Sequence, residues 1–250
     1  MEMHLTSLTF RVLVSVVLSL CLASCQQVPK NVNTNDLLYI AGKPFKIECS
    51  RESGALSNIS DELNISLRPN SKRCEIASFP IKIPQEITVE FEVELDEIPS
   101  KDNEWFSIFQ VHSFPDKEFG EKWRCPVMAL EVLNSKLRMY SRWDSSEVSD
   151  LVVGTCAHRE NSISDRLAFD EISIAERQVI DVRLKMFLTF DEQGRTQVSI
   201  NDRVVANIKG PNTFNDRKGI FIKIGIYKPT SWKYKSNILV HYRKIHLNGF

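Results

Sequence analysis

Ile87-Thr-Val-Glu-Phe-Glu-Val-Glu-Leu95 places an apolar residue at every odd position and a polar one at every even position. Side chains along a β-strand point alternately to opposite faces, so this stretch has one dry face and one wet face. The pattern returns at Ile180, Val182, Leu184, Met186 and Leu188, interleaved with Asp181, Arg183 and Lys185. Asp191-Glu-Gln-Gly194 reads as a turn, and Asn201-Asp202 as a tight hairpin between strands at 197–200 and 203–208. Helical periodicity is nearly absent. Short strands punctuated by turns argue for an all-β sandwich or jelly roll. The least regular stretch, 141–178, is expected to hold loops and a short helix.

Length and composition agree with one such unit. A sandwich of 250 residues commonly forms a single domain with its own core. Hydrophobic residues make up 42%, with 14 phenylalanines, which excludes a disordered chain.

The N-terminus reads separately from the fold. Arg11 precedes an apolar run at 12–23, too short to span a bilayer but suited to a signal peptide. The run ends Leu22-Ala23-Ser24-Cys25, which resembles the lipobox of bacterial lipoproteins. The resemblance implies a signal peptide at 1–24, lipidation of Cys25 and a polar tether at 25–36, ahead of a domain at 37–250. Acyl chains contribute about 0.8 kcal/mol per buried methylene, so several would hold the domain at a membrane. The expected location is the periplasm or the cell surface. Outside the cytoplasm, Cys49, Cys74, Cys125 and Cys156 can form two disulfides in three possible pairings, or remain buried thiols.

Net charge is zero, and loss of Glu2 and Arg11 with the leader would not change it. The distribution is uneven. Residues 86–104 carry eight acids against Lys101, and residues 216–246 carry eight bases against Asp216. A local basic stretch suits an anionic ligand, although a solvated charged face gives the same count. No broad basic surface points to nucleic acid.

Three segments put polar side chains on strands where packing does not ask for them. Alternation in Ser107-Ile-Phe-Gln-Val-His-Ser113 puts Gln110 and His112 on one face. In Gly219-Ile-Phe-Ile-Lys-Ile-Gly-Ile-Tyr-Lys-Pro229, Lys223 and Tyr227 share a face, with Gly225 between them leaving room for a ligand near the backbone. In Ser71-Lys-Arg-Cys-Glu-Ile76, Arg73 and Glu75 lie opposite Cys74. Each has a bland alternative: a hydrogen-bonded structural His, a rim aromatic, a solvated ion pair.

Together, Phe109-Gln-Val-His112, the Tyr227 strand and Lys72-Arg-Cys-Glu-Ile76 resemble the characteristic strands of jelly-roll polysaccharide lyases. The similarity is to the heparin lyase I and glucuronan lyase type, with alginate lyases more distant. Pro211-Asn-Thr-Phe-Asn-Asp216 and the strand beginning at Pro126 fit the same pattern. The resemblance covers residue 45 to the C-terminus. Cys74 departs from it, standing where a small polar residue is usual, and puts Arg73 in doubt.

The resemblance implies a concanavalin A-like jelly roll of two antiparallel sheets, monomeric, cleaving an acidic polysaccharide by β-elimination. Such a reaction removes the proton at C5 of a uronate and expels the oxygen at C4. Charge developing beside the ionised carboxylate must be neutralised by donors, as in an oxyanion hole. Gln110, Arg73 and His112 are the candidates. Tyr227 is the candidate acid, or both acid and base, and His112 the base for a proton on the opposite side. Lys223 either favours the Tyr227 phenolate by charge proximity or contacts the anionic substrate.

Arg138, Tyr140 and Arg142 share a face of a further strand and, with Trp143, offer stacking and charge for sugar binding. His158 is expected to be a surface residue of the loop-rich stretch. No metal site is expected. Asn215 and Asp216 offer hard oxygen ligands for Ca2+, but further ligands are missing and a turn is the better reading. Glu94-Leu-Asp-Glu97 suggests a glycoside hydrolase, which needs two flanking carboxylates, but Pro99 stands where a second Glu would be needed. Two non-enzymatic readings compete with the lyase: a glycan-binding surface module and an envelope structural protein.

Overall fold

The computed structural model describes residues 37–59, 61–98, 104–232 and 234–250. The expected signal peptide, Cys25 and the expected tether lie outside the described residues. Fifteen strands are described. The first seven are β1 (Leu37–Ile40), β2 (Lys43–Glu48), β3 (Gly54–Ile59), β4 (Glu62–Leu67), β5 (Arg73–Ser78), β6 (Gln85–Leu95) and β7 (Trp105–Ser113). After a 3₁₀ turn at Lys117–Phe119 come β8 (Met128–Leu133), β9 (Lys136–Trp143), β10 (Ser164–Ser173) and β11 (Ile180–Leu188). The chain ends with β12 (Arg195–Ile200), β13 (Arg203–Lys209), β14 (Ile220–Tyr227) and β15 (Ile238–Asn248).

They form two antiparallel sheets, as the alternation predicts. One has eight strands in the order β1-β2-β5-β14-β7-β8-β9-β10, the other seven in the order β13-β12-β11-β6-β15-β4-β3. The core lies between them. From β6 come Ile87, Val89, Phe91, Val93 and Leu95, and from β14 Ile220, Ile222, Ile224 and Ile226, all essentially inaccessible. Phe91 packs against Phe109 and Tyr242, each with ring centroids 5.8 Å apart. The Tyr242 hydroxyl donates to the carbonyl of Ile108 at 2.7 Å, which spares it an unsatisfied burial.

The turns follow their residues. Asn201 and Asp202 take φ of 49° and 61°, the left-handed pair that a two-residue hairpin requires. The stretch 141–178 differs from expectation. It has no helix and carries the ten-residue edge strand β10. Two register shifts against β9 break the alternation of β10, and most of its side chains face solvent, so no period marks it.

The two charge runs meet on the outer face of the seven-stranded sheet. Glu90 pairs with Arg183 at 3.0 Å, Glu92 with Lys244 at 2.5 Å, and Glu94 with Arg243 at 3.0 Å. Lys228 is buried and donates to the carbonyls of Pro69 and Trp232. The basic stretch therefore does not form one anion-binding patch: Arg243 and Lys244 pair with the acidic run, Lys223 pairs with Glu48, and Lys228 is buried on carbonyls.

Disulfides join Cys49 to Cys74 and Cys125 to Cys156. That overturns the free-thiol reading and selects one of the three pairings.

Candidate active site

The outer face of the eight-stranded sheet carries a cleft of about 620 Å³. Strand register brings the polar residues of the three distinctive segments onto it. Tyr227 stands opposite Arg73 and Gly225 opposite Glu75 across β14 and β5. On the other side of β14, Lys223 stands opposite Gln110 and Phe221 opposite His112. Glu48 of β2 stands opposite Glu75. A bulge between Ile224 and Tyr227 and another between Ser107 and Phe109 set Ser107 on the same face. Arg73, Gln110, His112, Lys223 and Tyr227 all line the cleft.

Gly225 has a different role from the one expected. A Cβ there would lie 2.5 Å from the Cys74 carbonyl oxygen and 2.7 Å from Glu75 Cα, at a φ of +134°. The glycine lets β14 approach β5 and is not a space for ligand.

Under the cleft lies a cluster of two acids and two bases. Lys223 Nζ donates to Glu48 at 2.5 Å and lies 3.6 Å from Glu75. Arg73 donates to Glu48 at 3.2 Å and lies 3.8 Å from Glu75. Burial acts to raise the Glu48 pKa, but Lys223 and Arg73 outweigh it and hold this carboxyl below its usual range. Glu75 is 1% exposed, and burial pushes it up to about 7 against the pull of Lys223 and Arg73. Lys223 is therefore engaged by carboxylates at the floor of the cleft. The cations over the Tyr227 ring are Arg73 and Lys72, each 5.3 Å from its centroid. Of the two roles expected of Lys223, the ring contacts of Tyr227 are made by Arg73 and Lys72, while Lys223 lines the cleft paired with Glu48.

Gln110 is also committed internally. Its Nε2 donates to Glu75 Oε1 at 2.7 Å and to Ser107 Oγ at 2.8 Å. Both amide hydrogens are used within the protein, so Gln110 does not offer them to a substrate carboxylate as expected. Its Oε1 meets His112 Nε2 at 2.9 Å. His112 stacks on Phe221 at 5.3 Å. Burial first, then Lys223, Arg73 and Arg142, push the His112 pKa well below its ordinary value, which keeps the imidazole neutral. A neutral imidazole can accept a proton, whereas it carries no charge with which to neutralise a carboxylate.

The expected sugar-binding group divides. Arg142 lines the cleft beside Glu131. Arg138 is bound to Glu131 at 2.8 Å, and both arginines flank the Tyr140 ring at 5.2 Å. Trp143 follows the alternation of β9 to the opposite face, where Arg166 of β10 covers its ring at 4.0 Å, and it does not line the cleft. Trp105 and Trp123 do line it, although neither stands out in the sequence. Trp105 packs 6.1 Å from Tyr227.

One end of the cleft is held by a buried ion network. Arg124 pairs with Glu121 and, at 2.5 Å, with Asp216, and it donates to Ser149 at 2.8 Å. Burial raises Asp216 to about 6, against the pull of Arg124. This network ties loops from three parts of the chain together. Asp216, which the sequence offered as a hard oxygen ligand but read better as part of a turn, pairs with an arginine, and Asn215 donates to the Ser145 carbonyl at 3.2 Å. Among the described residues no three His, Cys, Asp or Glu side chains gather as a metal site. His158 is exposed in its loop, with Nδ1 accepting from the Glu160 amide at 3.2 Å.

The jelly-roll sheet thus gathers an imidazole, a phenol and a cation–carboxylate cluster in one cleft. The chain belongs to the polysaccharide lyase family, whose model, described as "Polysaccharide lyase", matches residues 31–245. No curated protein matches it significantly in sequence. Among solved structures it is similar to an endo-β-1,4-glucuronan lyase from the fungus Trichoderma reesei, at 13% identity and a TM-score of 0.65. That match covers 87% of this chain and 96% of the other. It is also similar to the alginate lyase A1-II′, at 9% identity and 0.51, covering 78% and 82%. The alginate lyase AlyC3 gives 11% and 0.51, covering 75% and 74%. These likenesses concern the fold. The family sets aside the reading as an envelope structural protein.

Proposed function

We propose that this lyase cleaves a non-sulfated polyuronate by β-elimination, with Arg73, His112 and Tyr227 as the groups that touch the reacting sugar. The observation that carries the reading is the placement of a neutral imidazole and a phenol in one cleft, with a partly exposed guanidinium over the phenol ring. Arg73 keeps donors beyond those it gives Glu48, so it binds the uronate carboxylate and stabilises charge as the C5 proton leaves. His112 accepts that proton. Tyr227 protonates the departing O4, and the C4–C5 double bond remains on the new non-reducing end. For a proton on the other side of the ring, Tyr227 serves as both base and acid. The chemistry needs neither metal nor redox cofactor, and the unit works as a monomer.

The charge of the cleft supports a substrate with one carboxylate per sugar. Lys223 and Arg138 are already engaged by Glu48 and Glu131, so few cations remain for added sulfates. Glucuronan is the first polymer to test and alginate the second. Export and a lipid anchor at Cys25 complete the proposal. Two disulfides within the domain fit an oxidising compartment.

Mass spectrometry of the oligosaccharides released from glucuronan tests the reaction type. Elimination gives products lighter by one water than those of hydrolysis. Products of full hydrolytic mass, or bound but uncut polymer, would overturn it, the latter in favour of a glycan-binding module.

A further inference from the structure

Glu75 is buried beneath the cleft, and no step of the elimination calls for a group in its position. Its use follows from the hydrogen bonds of Gln110. A carboxylate accepts hydrogen bonds and donates none when ionised, so Glu75 Oε1 must face the amide nitrogen of Gln110, 2.7 Å away. Ser107 reinforces this choice. Its hydroxyl points its hydrogen at the Tyr227 carbonyl, 3.5 Å away, and its oxygen accepts from the same Gln110 nitrogen at 2.8 Å. The amide oxygen is thereby turned toward His112 Nε2, at 2.9 Å. An amide oxygen only accepts, so this bond forms when Nε2 carries the hydrogen. A neutral imidazole protonated at Nε2 has its lone pair on Nδ1. Nδ1 has no hydrogen-bond partner among the described residues, and stacking on Phe221 fixes the ring plane.

We infer that Glu75 is a positioning residue that acts through Gln110 to lock His112 in the Nε2–H tautomer, leaving Nδ1 to accept the C5 proton. The inference rests on the reading of His112 as a base. The arrangement does for His112 what a buried carboxylate does for the histidine of a hydrolase triad, with an amide inserted between them. The groups that face Glu75 are Arg73 on its own strand, Glu48 from β2, Lys223 from β14, Gln110 and His112 from β7, and Tyr242 from the opposite sheet. Protonation of Glu75 would turn it into a donor. Gln110 could then rotate its NH2 toward His112, the ring hydrogen would move to Nδ1, and the base would be lost.

The test is nitrogen NMR of the protein labelled with 15N-histidine, without substrate, with the His112 signals assigned by their loss in His112→Asn. At about pH 8 the wild type is expected to show Nε2 protonated and Nδ1 bare. Glu75→Gln is expected to show mixed tautomers. Its kcat on glucuronan should fall about 10–100-fold with KM little changed, comparable with removing the partner that orients a metal-bound histidine. The acidic limb of its pH profile should vanish. A wild-type His112 protonated at Nδ1, or a tautomer unchanged in Glu75→Gln, would overturn the inference. If Glu75→Gln does not fold, the wild-type spectrum followed down to about pH 5.5 decides, since a constant tautomer contradicts the relay. An inactive protein with the expected spectrum would sink the lyase reading and leave the relay standing. An active protein with the other tautomer would do the reverse.

Discussion

Tyr227 stands directly opposite Arg73 across the β5–β14 ladder, and the guanidinium lies 5.3 Å from the centre of the phenol ring. In the proposed reaction this pairing would bring the acid and the carboxylate-binding cation to one sugar, and the two roles are separable by mutation.

Tyr227→Phe removes only the hydroxyl, and the ring keeps its contacts with Trp105, Lys72 and Arg73. The expected result is a fall in kcat of about 10²–10⁴-fold, the usual contribution of a general acid–base group. Substrate binding and the circular dichroism spectrum should stay near wild type. Weakened binding with kcat preserved would assign Tyr227 to the rim.

Arg73→Lys keeps the charge but loses the planar fork. It should lower kcat/KM by about 10²–10³-fold, in line with the loss of one oxyanion donor. Titration with an unreactive uronate oligosaccharide distinguishes the outcomes. Unchanged kcat/KM would show that another group neutralises the carboxylate.

Thermal stability should fall as pH rises from about 5 to 8. Glu75 and Asp216 have folded pKa values raised to about 7 and about 6, so they hold protons that the unfolded chain has released. Their contribution is fully present below the unfolded carboxylate pKa and is lost as pH passes through 6 and 7. Glu48 and His112 work the other way: the Glu48 pKa is lowered by Lys223 and Arg73 against burial, and that of His112 is lowered chiefly by burial, so their contributions are present above the unfolded values and lost as pH falls, and Glu75 and Asp216 must outweigh them. Calorimetry should find a lower Tm at pH 8 than at pH 5.5. Glu75→Gln should reduce the difference, and a difference unaffected by Glu75→Gln would contradict the account.

Arg124→Met leaves Glu121 and Asp216 buried without their cation. Breaking one side of a buried ion network costs about 3–5 kcal/mol. Urea unfolding should show that loss. A change under 1 kcal/mol would mean that the loops at that end of the cleft hold without the network.

What the sequence discloses depends on whether a residue's environment is local. The strand at 87–95 is legible because one face is wet and the other dry, Gln110 and His112 stand out because packing does not ask for them on a strand, and Tyr227 stands out because it shares a face with Lys223. Strand β10 is illegible because an edge with two register shifts keeps no period. The engagement of Lys223 by Glu48, 175 residues away, has no local sign. The same holds for the amide of Gln110, whose donors are spent on Glu75 and Ser107. Trp143 illustrates the converse error. It adjoins Arg142 in sequence, and alternation sends it to the other face.

The central claim is elimination at a uronate by this cleft. The most direct measurement follows ultraviolet absorbance of unsaturated uronate ends while residues 26–250 act on glucuronan, alginate and a heparin-like polymer, with Tyr227→Phe alongside. The account predicts a rise on glucuronan or alginate, none on the sulfated chain, and loss of the rise in the variant. No rise on any polymer with folded protein, or a rise that Tyr227→Phe leaves intact, would contradict it.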